Sequence, residues 1–396
     1  MPPSRILDSH IHLWPSTALS PQDHAWMKDP THVLSKRHGI SDYTATTGSS
    51  PAGSSLVGFI YVETDRYLPS KTPDVYPNAS EEQAKKALKE WARAPLEELA
   101  FLRRVVEDTP QEGDGFENGQ GEMMKGVVVW APFHLSPPLF NVYLEIAEGV
   151  AGPRLWEKVV GFRYLLQGKE EGEVASLVGS GGFVENVVSL GKGRGGRGWA
   201  FDVGVDINRD GTEPLGAVGG MIREVREREG YNDSGALPVR FVLSKLSFCF
   251  CLGCEVGLRA DGGVDHLCKH RLTVSSPTKP GKEWLEAVEK LGPDQNVFMK
   301  LSGAFNEFDG TTPSSGSELV KSSSPIVSKV FDAFGDRVMF GSDWPVCNVG
   351  GSMGEKGNWG LWVECVEGLL KERKITEADS ESVWWKAGST AYDVQL

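Results

Sequence analysis

The chain has 396 residues, 40% hydrophobic and 24% charged, a balance that suits a large buried core and excludes a disordered or fibrous polypeptide. Its net charge of -13 excludes a generic nucleic-acid or anionic-membrane surface, because phosphate-binding chains need clustered lysine and arginine. No apolar stretch approaches the length of a bilayer span.

Eight short β-branched or apolar runs follow one another, at Arg5 to Asp8, Leu56 to Val62, Met124 to Trp130, Val159 to Arg163, Trp199 to Val205, Val239 to Leu243, Val297 to Leu301 and Val338 to Gly341. Helical stretches between them are clearest at Ser80 to Glu107, with Ser80 as N-cap, at Gly216 to Arg228 and at Lys282 to Leu291. Trp359 to Arg373 and Glu377 to Ala387 extend the pattern to the end of the chain. Polar or glycine-rich stretches at Lys36 to Ser54, Gln111 to Gly121, Gly191 to Gly198 and Thr311 to Ser324 read as loops. Strands alternating with helices imply βα units on a parallel sheet, and eight is the number that closes a barrel. We therefore expect an α/β fold, a (β/α)8 TIM barrel forming one domain over residues 1–396 with loop insertions.

The first residues run straight into a strand without the apolar h-region of a secretory signal. Three cysteines cluster at Cys249, Cys251 and Cys254, and three are scattered, with no disulfide framework. A reducing, cytoplasmic setting is the expectation, with a small molecule rather than nucleic acid or membrane as partner; oligomeric state is not legible.

Chemistry concentrates at the strand ends, where barrel active sites form. Strand one closes with Asp8-Ser-His-Ile-His-Leu-Trp14, and residues two apart on a strand share a face, so His10 and His12 can converge. Two such imidazoles bind a divalent metal, carry protons unmetallated, or are ordinary strand residues satisfied by backbone and water. Asp343 follows the last strand, where an aspartate serves as turn former, metal ligand or general base. Trp14, Glu63, Lys269, Ser302 and Trp344 also sit at strand ends, where side chains either meet substrate or pack the rim. Lys300 shares a face with Ser302 and, if buried, needs a carboxylate partner; Asp202 on strand five is a secondary candidate for the site.

Read together, Asp8-Ser-His-Ile-His-Leu-Trp14, Gly161-Phe-Arg163, Trp199-Ala-Phe-Asp202, Asp265-His-Leu-Cys-Lys269, Lys300-Leu-Ser-Gly303 and Phe340-Gly-Ser-Asp-Trp-Pro345 resemble the amidohydrolase-related family, which contains sugar lactonases and pyrone-dicarboxylate hydrolases. The resemblance implies a hydrolytic barrel in which His10, His12, His266 and Asp343 surround the attacking water. Arg163 matches a position suited to hold a substrate carboxylate or hydroxyl by forked hydrogen bonds. The implied reaction is the opening of a small, sugar-derived or carboxylated lactone, with Asp343 as base and then acid and the histidines polarising the carbonyl. A decarboxylase or another hydrolase on the same scaffold is the alternative, as is an inactive splice form.

Two departures matter. Strand five carries no histidine and strand four has Arg163 instead of a bridging ligand, so the resemblance implies at most one metal, Zn²⁺ or Mn²⁺ on His10, His12 and Asp343, or a metal-free site. Strand six is separated from Asp265-His266 by 21 residues, Ser244 to Val264, whose removal restores an uninterrupted Phe-Val-Leu-Asp-His-Leu-Cys-Lys. We expect this insertion to be a retained intron, since Ser244-Lys245 can be encoded with a donor-like GTAAG. Its C-x-C-x₂-C cluster lacks a nearby fourth metal ligand.

Overall fold

The computed structural model describes residues 3–205, 210–231, 237–244, 272, 280–308 and 312–396. Eight strands, β1 (Ile6–Ile11), β2 (Leu56–Val62), β3 (Met124–Trp130), β4 (Val159–Leu165), β5 (Ala200–Gly204), β6 (Arg240–Ser244), β7 (Val297–Leu301) and β8 (Val338–Phe340), form one sheet in sequential order, every neighbouring pair parallel. The sheet closes through the segment after β8: the Asp343 amide donates to the His10 carbonyl at 2.8 Å and the His12 amide to the Trp344 carbonyl at 2.8 Å. This is the expected (β/α)8 barrel. The β2, β3 and β7 limits coincide with the apolar runs, because those runs are buried on both faces and leave no competing signal.

Helices cover the outside, and here the sequence reading needs correction at three places. The stretch expected as one helix from Ser80 is two, Glu81–Trp91 and Arg93–Glu107, with Pro95 in the first turn of the second, where its missing N–H costs nothing. Ser80 caps the first through a reciprocal box with Gln83. The expected loop over Lys36 to Ser54 contains a helix, Ile40–Thr47, and that over Thr311 to Ser324 holds the start of Gly316–Phe334. Both are rich in Ser, Thr and Gly, which lower helix propensity, yet buried residues such as Tyr43, Leu319 and Ile326 anchor them to the barrel. Pro137–Lys158 is interrupted at Gly152, whose φ of 68° precedes Pro153.

Three apolar clusters form among the described residues, and two of them make up the body of the barrel. The larger lies between strands and helices. The smaller fills the lower barrel interior with Leu7, Ile60, Val128, Val160, Ala200, Val242, Phe298 and Met339. The last helix, Ala387–Tyr392, closes the lower end of the barrel, and its Ala387, Ala391 and Tyr392 pack into that interior core. The helix passes so close to β1 that a Cβ at Gly388 would stand 3.2 Å from the Leu7 side chain. The basic glycine loop before β5 holds its far end: Arg194 and Arg197 donate to the Asp393 carboxylate at 3.2 and 2.6 Å. No helix among the described residues is long and apolar enough to cross a membrane.

Candidate active site

Simple alternation would send Asp8, His10 and His12 to one face of β1. The β1–β2 register shifts between Asp8 and Ile11, and this irregularity separates them. Asp8 turns outward, accepting hydrogen bonds from the Ser342 amide at 2.8 Å, the Tyr43 hydroxyl at 2.8 Å and the Trp359 indole at 3.1 Å. His10 and His12 turn inward. Burial pushes the Asp8 carboxyl above its ordinary value, and these donors oppose the shift. Asp8 thus pins the chain after β8 to β1, and Asp343 arrives opposite the histidines with a φ of 60°, a left-handed conformation that aspartate tolerates better than most residues.

Three ligand atoms converge there. His10 Nε2 and His12 Nε2 lie 3.2 Å apart, and Asp343 Oδ1 stands 3.4 and 3.2 Å from them. Among the described residues, these three side chains form a cluster able to share one metal ion. Ligands about 2.0–2.1 Å from a tetrahedral centre stand roughly 3.3 Å from one another, so the spacing fits a single Zn²⁺-like ion. The donor chemistry fits too: His12 Nδ1 faces the Val62 carbonyl at 2.8 Å, which fixes Nδ1 as the protonated nitrogen and leaves Nε2 to accept or coordinate. Ser302 Oγ lies 3.5 Å from His10 Nδ1.

A pocket opens beside His12. Trp14, Trp26, Leu165 and Val346 make its apolar side, and Thr64, Asp65, Arg163 and Gln167 its polar side. Both indoles are anchored, Trp14 to the Lys36 carbonyl at 2.6 Å and Trp26 to the Thr64 carbonyl at 3.1 Å, so the rings present fixed faces. Arg163 is almost fully buried; its Nε pairs with Glu63 Oε1 and its Nη2 donates to the Glu63 carbonyl at 2.5 Å. Burial lowers the Arg163 pKa and the Glu63 charge more than offsets it, leaving it raised.

The sequence candidates therefore separate. His10, His12, Asp343 and Ser302 come together, and Arg163 and Trp14 reach the adjoining pocket. Glu63, expected at the substrate, is instead committed to Arg163 and to the Asp65 amide at 2.6 Å. Trp344 is packed between His38 and Tyr43, ring centroids 5.3 and 5.2 Å away, behind Asp343 rather than on the pocket wall. Asp202 pairs with Lys300 at 2.6 Å and accepts hydrogen bonds from the Tyr392 hydroxyl. His266, Lys269 and the insertion beyond Ser244 lie outside the described residues. The sequence reading gives no role to Trp26, Gln167 or the clamp Asp8; of these only Asp8 carries a local signal, as the first residue of the Asp8-Ser-His-Ile-His-Leu-Trp14 motif.

Known proteins resemble this chain in sequence and in fold. Residues 264–373 match the amidohydrolase family model. An L-rhamnono-gamma-lactonase of Scheffersomyces stipitis is 22% identical over 98% of this chain and 99% of its own. An L-fucono-1,5-lactonase of Burkholderia ambifaria is 35% identical over 27% of this chain and 34% of its own. Among solved structures, an amidohydrolase from Burkholderia multivorans with bound zinc superposes with a TM-score of 0.58 at 20% identity, over 99% of this chain and 100% of that one. Amidohydrolase 2 from Bifidobacterium longum subsp. infantis gives 0.51 at 14%, over 99% of each chain.

Proposed function

Because residues 264–373 match the amidohydrolase family model, we propose that the chain is an amidohydrolase-related enzyme that hydrolyses a small sugar-derived lactone at the site formed by His10, His12 and Asp343. The observation that carries this reading is the convergence of two imidazole nitrogens and a carboxylate oxygen within 3.4 Å of one another beside a pocket that has one aromatic wall and one polar wall.

Asp343 is the base. It takes a proton from a water held among the three side chains; the resulting hydroxide adds to the lactone carbonyl, and the ring C–O bond breaks as the tetrahedral centre collapses. The leaving alkoxide takes the proton back, and the hydroxy acid ionises to release one proton per turnover. His12, its Nδ1 tied to Val62, keeps a fixed tautomer through the cycle. A divalent cation held by His10, His12 and Asp343 would supply charge stabilisation for the developing oxyanion and lower the pKa of the water. Arg163, with Nε and Nη2 occupied by Glu63, offers Nη1 to a ring hydroxyl or carboxylate. The Trp14–Trp26 wall suits the C–H face of a sugar ring, which accords with the lactonase names of the relatives.

Acidification of weakly buffered solutions by a panel of aldonolactones, with and without chelator, tests the reading. Asp343→Asn is expected to lower the rate by about 10²–10⁴, and His10→Ala to do so comparably. The panel should be run on the full chain and on a form joining Leu243 to Asp265, because the insertion begins where β6 ends. If neither form acidifies with any lactone, the reading fails.

A further inference from the structure

Beneath the histidines the barrel interior holds a set of charges of which the hydrolysis described above uses only Arg163 and Asp343. Around the wall, the inward side chains alternate in sign: Glu63 after β2, Arg163 on β4, Asp202 on β5, Lys300 on β7 and Asp343 after β8. Glu63, Arg163, Asp202, Lys300 and Asp343 are all buried. Glu63 is matched with Arg163. The remaining cation, Lys300, is fully enclosed and is the ladder partner of Met339 on β8, the strand that leads into Asp343; both Asp202 and Asp343 favour its charged form. An ammonium buried so deeply requires a carboxylate partner, and which one it takes decides whether a cation stands against Asp343.

The structure shows the ammonium on Asp202, at 2.6 Å. What fixes Asp202 comes from the far end of the chain. The Tyr392 hydroxyl, on the helix that closes the barrel floor, donates to Asp202 Oδ1 at 2.8 Å and Oδ2 at 2.9 Å. The Tyr392 ring lies under the same ammonium, 5.2 Å from Lys300 Nζ to its centroid, so one side chain anchors the carboxylate and cradles the cation. Asp202 is also the β-ladder partner of Arg163, so its charge lies between the two cations.

We propose that Asp202, anchored by Tyr392, holds the Lys300 ammonium off Asp343, which makes the three residues a positioning device for the general base. The inference rests on the role given to Asp343 above. Lys300 is therefore a competitor for Asp343 that the fold keeps occupied, and the last helix contributes to catalysis without touching substrate.

In full-length Asp202→Asn, the ammonium loses its carboxylate, and a crystal structure is expected to show Lys300 Nζ within hydrogen-bond distance of Asp343. Lactone turnover should fall about 10–100-fold, the usual loss when an outer partner of a site is removed. The double variant Asp202→Asn/Lys300→Met deletes the competitor together with its restraint and should regain most of that loss, whereas a purely structural ion pair would leave the double variant no better. Tyr392→Phe keeps the ring in the floor and should lower kcat with KM unchanged. An ammonium that stays off Asp343 in Asp202→Asn overturns the proposal, as does a double variant no faster than the single one. The crystallographic arm involves no lactone, so a parent that opens none overturns the lactonase reading alone.

Discussion

The lower and upper halves of the barrel interior are built by the same strands and differ completely in chemistry. On β5 the inward residue changes from Ala200 to Asp202, and on β7 from Phe298 to Lys300, in a single step of two positions. Below that step the interior is aliphatic and aromatic; above it stand Glu63, Arg163, Asp202, Lys300, His10, His12 and Asp343, all buried. The strand period of two lets one short segment serve both layers. The upper layer is tolerated because its charges are matched across strands that are distant in sequence, Glu63 with Arg163 and Asp202 with Lys300. The lower layer provides apolar burial, and the upper layer holds polar groups in the fixed geometry that catalysis needs.

Moving chemistry between the layers is the severest test of this contrast. Val242→Asp places an unmatched carboxylate in the lower layer and should cost on the order of 5 kcal/mol, enough to abolish cooperative folding by circular dichroism. The upper-layer change Asp343→Asn, by contrast, should leave the melting profile near that of the parent while removing activity. A smaller effect is expected at the clamp that joins the layers to the seam. Asp8→Asn puts an amide donor where four N–H or O–H donors converge, and should cost about 2 kcal/mol in a denaturant titration, with a loss of turnover as the Asp343 loop loosens.

The smallest effect concerns pH. Burial, aided by Lys36, pushes the His38 imidazole down to about 4, and His38 packs edge-on against Trp14 and Trp344 behind the site. Its folded value lies below the unfolded one of 6.5, so the unfolded chain takes up the proton first. The stabilisation is therefore complete above pH 6.5 and is lost as pH falls toward about 4. Lowering the pH from roughly 7.5 to roughly 5.5 should remove about 1 kcal/mol, and His38→Gln should flatten that slope in denaturant titrations across the range.

The barrel was legible because apolar runs at regular intervals carry their own signal. Helices resting on tertiary burial were less so: Ile40–Thr47 and the start of Gly316–Phe334 are too rich in Ser, Thr and Gly to announce themselves, and Pro137–Lys158 opens on two prolines and breaks at Gly152. In the site, His10, His12 and Asp343 were found because each ends a strand at the same rim. Glu63 and Trp344 share that position yet serve Arg163 and the packing behind Asp343, since a strand end fixes location and leaves the direction of the side chain open.

Sequence alone thus determined the strand count, the rim on which chemistry gathers and the histidine and aspartate motifs, all of which depend on local pattern and spacing. Only the tertiary structure decided which neighbours those residues meet. The register shift in β1 turns Asp8 away from His10, and the closing helix brings Tyr392 to Asp202, 190 positions earlier. Such contacts depend on barrel closure, and no local run of residues encodes them.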